Sequence, residues 1–277
     1  MRVRQIVVSV HRFLRAVVER CLSIHRLQSV YRDVLSRLSD RTDVGAFLDL
    51  GLRALDISAG VEGNDQDRVP STGPLIIVAN HPHGIIDGLL LAALIRKRRP
   101  DLRLLGNRWL HRFPELKSLV LDVDPVAGRG VARSNSASMR AAYRWLHEGG
   151  ALLVFPAGKI SAKRWGRRGV HDDRWSPHVA RLQQTARAAV LPVHIAGHNS
   201  WQFQLAGLVH PRLRTPLIAR EAVRKIGSTV HVRIGNPISP KQLERFGDIR
   251  ELVDYLRLRT GILARRHSAL RANGRDE

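Results

Sequence analysis

After residue 74 the sequence alternates short apolar runs with helical segments, and this alternation constrains the fold more than any other feature. Six apolar runs are predicted as strands: 75–79, 102–105, 119–123, 151–155, 190–196 and 229–234. The segments 85–98, 137–148 and 177–188 between them carry helical patterns. Such alternation predicts an α/β domain with a largely parallel central sheet flanked by helices.

The N-terminal region has a different pattern. Apolar residues at spacings of three and four predict a basic amphipathic helix over 6–24, and a second helical pattern covers 44–55. This N-terminal amphipathic helical pair either covers the core or lies at an anionic lipid surface. The polar stretch 59–73 breaks the helical pattern and is predicted as the boundary between this region and the strand–helix alternation.

Three segments are predicted from these patterns. Residues 1–60 form a helical, membrane-interfacial segment, 61–240 form the catalytic domain, and 241–277 form a C-terminal helical tail opened by Ser239 and Pro240. No run of 18 apolar residues and no recognisable secretory signal occur, so the chain is expected neither to span a membrane nor to be exported.

Charge and cysteine content narrow the classes of function. Lys and Arg total 46 against 24 Asp and Glu, a net charge of +22, which favours nucleic acid, phosphorylated substrates or a membrane surface as partner. Only six of the 46 are Lys, so part of the Arg excess is attributed to a GC-rich genome. The single cysteine, Cys21, excludes an internal disulfide framework and a multi-cysteine zinc module.

The first candidate site is the segment 80–88, which follows an apolar strand and opens an apolar helix. An Asp87 carboxylate on the first helical turn can fold back to orient the imidazole of His81, which makes a general base with its orienting group. Two alternatives remain open here: the residues only cap the helix, or they bind zinc. The zinc reading is disfavoured because Ile85 and Ile86 stand where a metallohydrolase needs Asp and His.

Two further segments end predicted strands. In 155–161, Gly158 permits a turn whose N–H groups face an anion, and Lys159 begins a strongly basic stretch. In 191–200, a strand carrying His194, by default a sheet histidine, ends in a Gly-His-Asn-Ser turn that includes Asn199. Either turn alone is a weak signal.

Taken together and in this order, the three segments resemble the lysophospholipid acyltransferase superfamily, the relatives of 1-acylglycerol-3-phosphate acyltransferase. The Asn-His…Asp, Phe-Pro-x-Gly and Leu-Pro-Val…Gly blocks carry the resemblance, which spans roughly residues 30 to 240. Residues 80–88, 123–125, 149–158, 197–200 and 232–238 are similar to the hemolysin-like branch, which includes acyltransferases linked to ornithine-lipid synthesis.

The resemblance implies a reaction and its residues. His81 would be the general base, with Asp87 holding its tautomer, and the acyl donor would be a thioester of acyl carrier protein (acyl-ACP) or coenzyme A (acyl-CoA). The acceptor would be a lysolipid, and no metal or redox cofactor is expected. The implied substrate-binding residues are Asn80, His83, Gly84, Arg129, Phe155, Pro156, Gly158, Lys159, Ser161 and Asn199.

Departures from the glycerol-phosphate enzymes bear on the acceptor. Five residues rather than four separate His81 from Asp87, and Ala157 and Ile160 replace the Glu and Arg of the third block. Their phosphate-binding Arg aligns with Asp124 or Pro125, so Arg129 and Arg133 are displaced candidates, a pattern compatible with an aminolipid acceptor of the ornithine-lipid type.

A lipid substrate favours peripheral attachment to an anionic membrane at the cytoplasmic face of the inner membrane. Nucleic acid is not expected as a partner, because the chain has neither zinc-ligand spacing nor an RNA-recognition motif and is only 5% aromatic. The alternatives kept are a catalytically altered lipid-binding relative, a basic nucleic-acid-binding protein and a metal-dependent hydrolase.

Overall fold

The computed structural model describes residues 23–123 and 129–273, with side chains over 23–123 and 135–264. The helices are α1 (Ile24–Arg37), α2 (Val44–Ala54), α3 (Ile85–Arg96), α4 (Arg129–His147), α5 (His178–Ala186), α6 (Trp201–Val209), α7 (Ile218–Arg224), α8 (Pro240–Leu243) and α9 (Ile249–Asn273). The strands are β1 (Ser58–Val61), β2 (Leu75–Ala79), β3 (Arg103–Asn107), β4 (Val120–Val123), β5 (Ala151–Val154), β6 (Ala162–Lys163), β7 (Val170–His171), β8 (Ala189–Ile195) and β9 (Thr229–Ile234).

Seven strands form one sheet in the order β1-β9-β8-β2-β5-β3-β4. The five strands from β8 to β4 are mutually parallel, whereas β9 runs antiparallel to β8 and pairs in parallel with β1. Strands β6 and β7 form a separate antiparallel hairpin. The predicted largely parallel α/β sheet is therefore confirmed.

The core lies on both faces of the sheet. Successive side chains of a strand point to opposite faces. Accordingly, Leu75 and Ile77 of β2 pack with α1, α2, α3 and α7, whereas Ile76 and Val78 pack with α4, α5 and α9. Every residue of β2 and β5 is buried, as expected for central parallel strands covered by helices.

A helical pair precedes the sheet, but only part of it was predicted. Helix α2 matches the predicted 44–55, whereas α1 was not expected, and almost all of the predicted helix 6–24 lies outside the described residues. Val34 of α1 and Leu48 of α2 are buried in the same core as β2. The three-segment division with boundaries at 60 and 240 stays a prediction.

The polar stretch 59–73, predicted as a boundary, contains regular structure that the sequence patterns did not predict. Residues Ser58–Val61 form β1, which pairs with β9, and Asp65–Arg68 form a short 3₁₀ helix. Buried Arg233 of β9 donates to Asp65, and it also contacts Glu62. This ionic contact ties the segment after β1 to the sheet.

The C-terminal helical region begins at the predicted Ser-Pro start. Ser239 caps α8, with its hydroxyl oxygen accepting a hydrogen bond from the backbone N–H of Gln242, and Pro240 occupies the first turn. Buried Leu252 and Leu256 of α9 pack against the sheet, as their spacing predicts. Within the described residues, no helix combines the length and apolar character needed to cross a bilayer.

Candidate active site

The three predicted segments meet at one edge of the sheet. Strands β8, β2 and β5 are parallel neighbours, so their carboxyl ends lie side by side. The segments beginning at Asn80, Phe155 and Ala196 start from these three ends. This is where α/β sheets place ligand sites.

His81 and Asp87 come together there, as predicted. Nδ1 of His81 lies 3.0 Å from Oδ2 of Asp87, with the imidazole 19% exposed and the carboxylate fully buried. The contact has ion-pair distance, but the ring nitrogen is not aligned for a hydrogen bond. Catalytic hydrogen bonds are often poorly aligned before substrate binds. Since Nδ1 faces Asp87, Nε2 is the ring atom left for a substrate proton.

The Asp87 carboxylate also holds the start of α3. Oδ2 accepts the backbone N–H groups of His83 at 2.8 Å and of Gly84 at 3.0 Å. Gly84 has φ +74°, and a Cβ there would lie 2.7 Å from Cδ1 of Ile160. A glycine is therefore needed both for the backbone conformation and for the approach of the 155–161 segment.

The 155–161 segment covers one side of the base. The Phe155 ring stacks on the His81 imidazole with centroids 4.1 Å apart. The backbone N–H of Ser161 donates to the carbonyl of His81 at 2.8 Å, and that of Gly158 closes a turn onto Phe155 at 2.9 Å. In the part of the chain that the structure describes, no backbone hydrogen bond uses the N–H of Ala157, Lys159 or Ile160.

Asp172 is the positioning residue that sequence reasoning missed. Its Oδ1 accepts the His81 backbone N–H at 3.2 Å and the Ser161 hydroxyl, and its Oδ2 accepts the indole N–H of Trp175 at 2.9 Å. Arg257 of α9 donates to its carbonyl. Asp172 thus joins the first and second predicted segments, but it follows the β6–β7 hairpin and belongs to no motif that would single it out.

Asn80 bonds to the protein itself at both ends of its amide. Its Nδ2 donates to the carbonyl of Ile195 at 2.8 Å, and its Oδ1 accepts the N–H of the same residue at 2.7 Å. The side chain thereby prolongs the pairing of β2 with β8 by one step. Its predicted contact with substrate would require this pair of bonds to open.

His83 and Asn199 are buried next to each other behind the catalytic pair. Nε2 of His83 contacts the carbonyl of Ala196 at 2.9 Å, and burial lowers the pKa of His83 although the charge of Asp87 opposes this. Gly197, with φ +96°, lets the ring approach closely, since a Cβ there would lie 3.0 Å from it. Within the described residues, Nδ1 of His83 and both amide atoms of Asn199 make no well-aligned hydrogen bond, although the Asn199 side chain acts to raise the pKa of His83.

Lys225 adds a cation that the motifs do not predict. Its Nζ lies 3.4 Å from the carbonyl of His198, and the residue is partly buried. Burial lowers the pKa of Lys225, and the charges of Glu221 and Asp87 act in the opposite direction. Lys225 therefore contributes positive charge behind the buried carboxylate of Asp87.

The remaining predicted residues divide between buried and exposed positions. Pro156 is buried, and its carbonyl accepts the N–H of Ser176. Lys159 is exposed, with Nζ 3.9 Å from a carboxylate oxygen of Asp173. Ser161 is buried against Asp172, and the side chain of Arg129 lies outside those described.

His81 and His83, with Asp87 nearby, are the side chains of the alternative zinc site. Among the described residues, no three His, Cys, Asp or Glu side chains are grouped so that they would hold a metal ion. The Nε2 atom of His83 already contacts the carbonyl of Ala196. The arrangement offers instead an imidazole backed by a carboxylate, at the end of a parallel strand.

Fold and site together define an α/β protein with a His–Asp pair at the carboxyl edge of its sheet. The model of a family described as Acyltransferase matches residues 10–269, and the chain belongs to this family. It is accordingly an acyltransferase.

Similar proteins agree with this family. The chain is 24% identical over 199 residues to a lyso-glycine lipid O-acyltransferase of Phocaeicola vulgatus, covering 69% of this chain and 68% of the relative. It is 23% identical over 218 residues to the protein of the same name from Bacteroides thetaiotaomicron, covering 76% and 77%. In fold it is similar to the crystal structure of the 1-acyl-sn-glycerophosphate acyltransferase PlsC of Thermotoga maritima, with TM-score 0.56, 18% identity, and coverage of 93% of this chain and 98% of that one.

Proposed function

We propose that the protein transfers a fatty acyl group from a thioester donor to a lysolipid acceptor. The observation that carries the proposal is the 3.0 Å contact between Nδ1 of His81 and Oδ2 of Asp87 at the carboxyl edge of the sheet. Two relatives named lyso-glycine lipid O-acyltransferases support the acceptor class. The donor is acyl-ACP or acyl-CoA.

The reaction follows from the position of the imidazole. Nε2 of His81 removes the proton of the acceptor hydroxyl or amine, and the freed lone pair attacks the thioester carbonyl carbon. The resulting tetrahedral intermediate collapses with cleavage of the C–S bond, and the imidazolium returns its proton to the departing thiolate. Asp87 keeps Nδ1 protonated in the resting state and stabilises the imidazolium.

The 155–161 turn supplies charge stabilisation in this proposal. The oxyanion of a tetrahedral intermediate needs donors that are not already engaged. The N–H groups of Gly158 and Ser161 are engaged within the protein. The donors proposed for the oxyanion are therefore the N–H groups of Ala157, Lys159 and Ile160, with the exposed ammonium of Lys159 nearby.

The acceptor is proposed to be an aminolipid of the ornithine- or glycine-lipid type. Ala157 and Ile160 stand where the glycerol-phosphate enzymes carry Glu and Arg, so this segment lacks their charged groups. The exposed basic side chains of Lys159 and Arg164 can instead meet the phosphates of coenzyme A or the acidic surface of acyl carrier protein. The protein is proposed to act peripherally at the cytoplasmic face of the inner membrane.

The test is an acyl-transfer assay with purified protein. Acyl-ACP and acyl-CoA are each offered with lyso-ornithine lipid, lyso-glycine lipid and lysophosphatidic acid. We expect ester formation on an aminolipid, and we expect His81→Gln to lower kcat about 10²–10⁴-fold because general-base help is lost. Asp87→Asn is expected to lose activity too, since the imidazolium loses its charge partner.

The matched control is a second His–Asp contact in the same chain. His111 contacts Asp122 of β4, an edge strand separated from β5 by β3. His111→Gln is expected to keep wild-type kcat. Equal losses in His111→Gln and His81→Gln would refute the assignment of the base. Lipid binding without turnover in folded wild type would favour the lipid-binding alternative.

A further inference from the structure

A group of apolar side chains stands exposed beside the active site. Trp165 in the β6–β7 loop is 80% exposed, and Trp201, Leu205 and Val209 of α6 are 70%, 50% and 72% exposed. Leu213, in the 3₁₀ helix Pro211–Leu217 that follows α6, is 48% exposed. We call these five residues the apolar face. Such side chains grouped on one surface mark a site of interaction.

Helix α6 presents a stripe to solvent along its whole length. Trp201, Leu205 and Val209 are spaced by four residues and therefore lie on one side of the helix. The opposite side is fixed to the protein, because Phe203 and Gln204 are buried. The outward stripe is thus an unpartnered helix face, held in place from behind.

The elements carrying the apolar face are joined to one another. The amide of Gln204 accepts the backbone N–H of Lys163 at 2.9 Å, which ties α6 to strand β6 of the hairpin. The guanidinium of Arg214 lies 5.8 Å from the centre of the Phe203 ring, which ties the 3₁₀ helix to α6. Hairpin loop, helix and 3₁₀ helix therefore present one surface.

Basic side chains surround the apolar face. Arg167 and Arg168 in the hairpin loop and Arg212 in the 3₁₀ helix are exposed, and Arg164 is exposed but contacts Asp173. Burial lowers the pKa of Arg214 behind them. An apolar centre with Trp side chains and a rim of Arg matches the boundary between acyl chains and anionic headgroups.

We propose that the enzyme binds an anionic lipid bilayer through the apolar face, with Trp201, Leu205 and Val209 inserted below the headgroups. This inference rests on the proposed function, since a lysolipid acceptor resides in the bilayer. A bilayer fits better than a protein partner because the apolar side chains extend over three elements and the rim carries arginines that bind lipid phosphates.

The elements that carry the apolar face are connected to the catalytic pair. Helix α6 begins two residues after Asn199, whose carbonyl accepts a hydrogen bond from the Gln204 amide. Strand β6 begins directly after Ser161, whose backbone N–H donates to the carbonyl of His81. If α6 and the β6–β7 hairpin lie against the membrane, His81 and Asp87 are held close to the membrane surface. The acceptor hydroxyl can then reach His81 while the acyl chain of the lysolipid stays in the bilayer.

Partitioning of the full chain onto lipid vesicles tests whether the apolar face binds the bilayer. The probe is vesicles of equal parts phosphatidylglycerol and phosphatidylcholine, with phosphatidylcholine vesicles alone as reference. The variant is Leu205→Gln with Val209→Gln, and the matched control is Leu258→Gln with Ile262→Gln, an equally spaced exposed pair on α9. We expect the partition coefficient of the α6 variant to fall at least about tenfold, since each lost apolar insertion is worth roughly that factor. The control is expected to bind as wild type.

Activity measurements separate this proposal from the proposed function. The α6 variant should keep wild-type turnover on a short-chain lysolipid dissolved as monomers and lose it on the same headgroup embedded in vesicles. If the wild type acylates no acceptor, the proposed function fails. Vesicle partitioning would still show whether the apolar face binds the bilayer. Trp165→Ala in the exposed hairpin loop, assayed in parallel, gives the same answer if the helix variant does not fold.

Three outcomes would contradict the proposal that the apolar face binds the bilayer. The first is unchanged partitioning of both the α6 variant and Trp165→Ala. The second is an equal loss in the α9 control, which would show that any exposed apolar pair matters. The third is unchanged partitioning with a raised KM for acyl-ACP, which would make the face a carrier-protein site.

Discussion

The phenyl ring of Phe155 lies on the imidazole of His81, with centroids 4.1 Å apart and ring planes 27° from parallel. The two residues follow adjacent strands, β5 and β2, so the stacking depends on the register of the sheet. Phe155 restrains the plane of the imidazole, while Asp87 contacts its Nδ1 edge. The base is therefore held in two directions by residues from different segments.

Replacing Phe155 tests whether that restraint matters. Phe155→Leu keeps an apolar side chain but removes the flat surface, so the imidazole gains rotational freedom. We expect kcat to fall about ten- to hundredfold, as small misplacements of a catalytic group commonly do. Phe246→Leu, which removes another aromatic contact 4.7 Å from the Tyr255 ring, is the control. Equal kcat in all three proteins would contradict the restraint.

Asp172 and its neighbour form a matched pair of tests. Asp172→Asn weakens the bonds from His81, Ser161 and Trp175, so the free energy of unfolding should fall by about 1–3 kcal/mol and kcat should fall as well. Asp173→Asn removes the partly exposed ion pairs with Lys159 and Arg164, worth about 0–1 kcal/mol, and its amide oxygen can still accept the backbone N–H of Arg174. Denaturant unfolding and acyl transfer measure both. A stability loss with unchanged kcat would limit Asp172 to a structural role.

Gly84 allows a test of backbone strain. Gly84→Ala forces an L-residue to φ +74° and brings its Cβ against Ile160, so we expect a loss of about 1–3 kcal/mol from strain alone. Adding Ile160→Ala relieves the contact but leaves the backbone conformation. The double variant should therefore recover only part of the stability, measured by thermal unfolding. Full recovery would mean that the steric contact, and not the dihedral angle, requires glycine.

His83 predicts a pH dependence of stability. Burial lowers the pKa of His83 below the usual 6.5, so in acid the unfolded chain binds a proton that the folded protein does not. Its contribution is complete above about pH 6.5 and is lost as the pH falls towards the folded pKa, with a slope of at most about 1.4 kcal/mol per pH unit. His83→Gln keeps a donor for the Ala196 carbonyl and should reduce this slope. An identical slope in the variant would contradict the assignment.

The predicted bounds of strands β2 and β9 agree with the structure. Strand β2 is a continuous apolar run, as expected for a central strand covered on both faces, whereas β9 alternates apolar and polar residues. The meeting of His81 with Asp87 also followed from local spacing, since both belong to one strand-to-helix turn. The stacking of Phe155 on His81 required knowing that β5 lies beside β2. Adjacency of parallel strands is set by the topology and is not written in either segment.

The missed elements share a physical cause. The sequence Ser-Ala-Gly-Val of β1 has little apolar signal, and its pairing with β9 joins residues 171 positions apart. Asp172 likewise acts on His81 across 91 residues. Helix α6 is apolar on nearly every side, so its sequence does not show which of its faces is exposed to solvent.

The Asp87 carboxylate caps α3 and contacts His81 through the same oxygen atom, Oδ2. Glu at this position would place its oxygens one methylene farther along and would lose both contacts together. A substitution of Asp87 that changes its contact with His81 therefore also changes the hydrogen bonds at the first turn of α3. A redesign of acceptor choice has more freedom at exposed positions such as Lys159 of the 155–161 turn and Leu205 of α6.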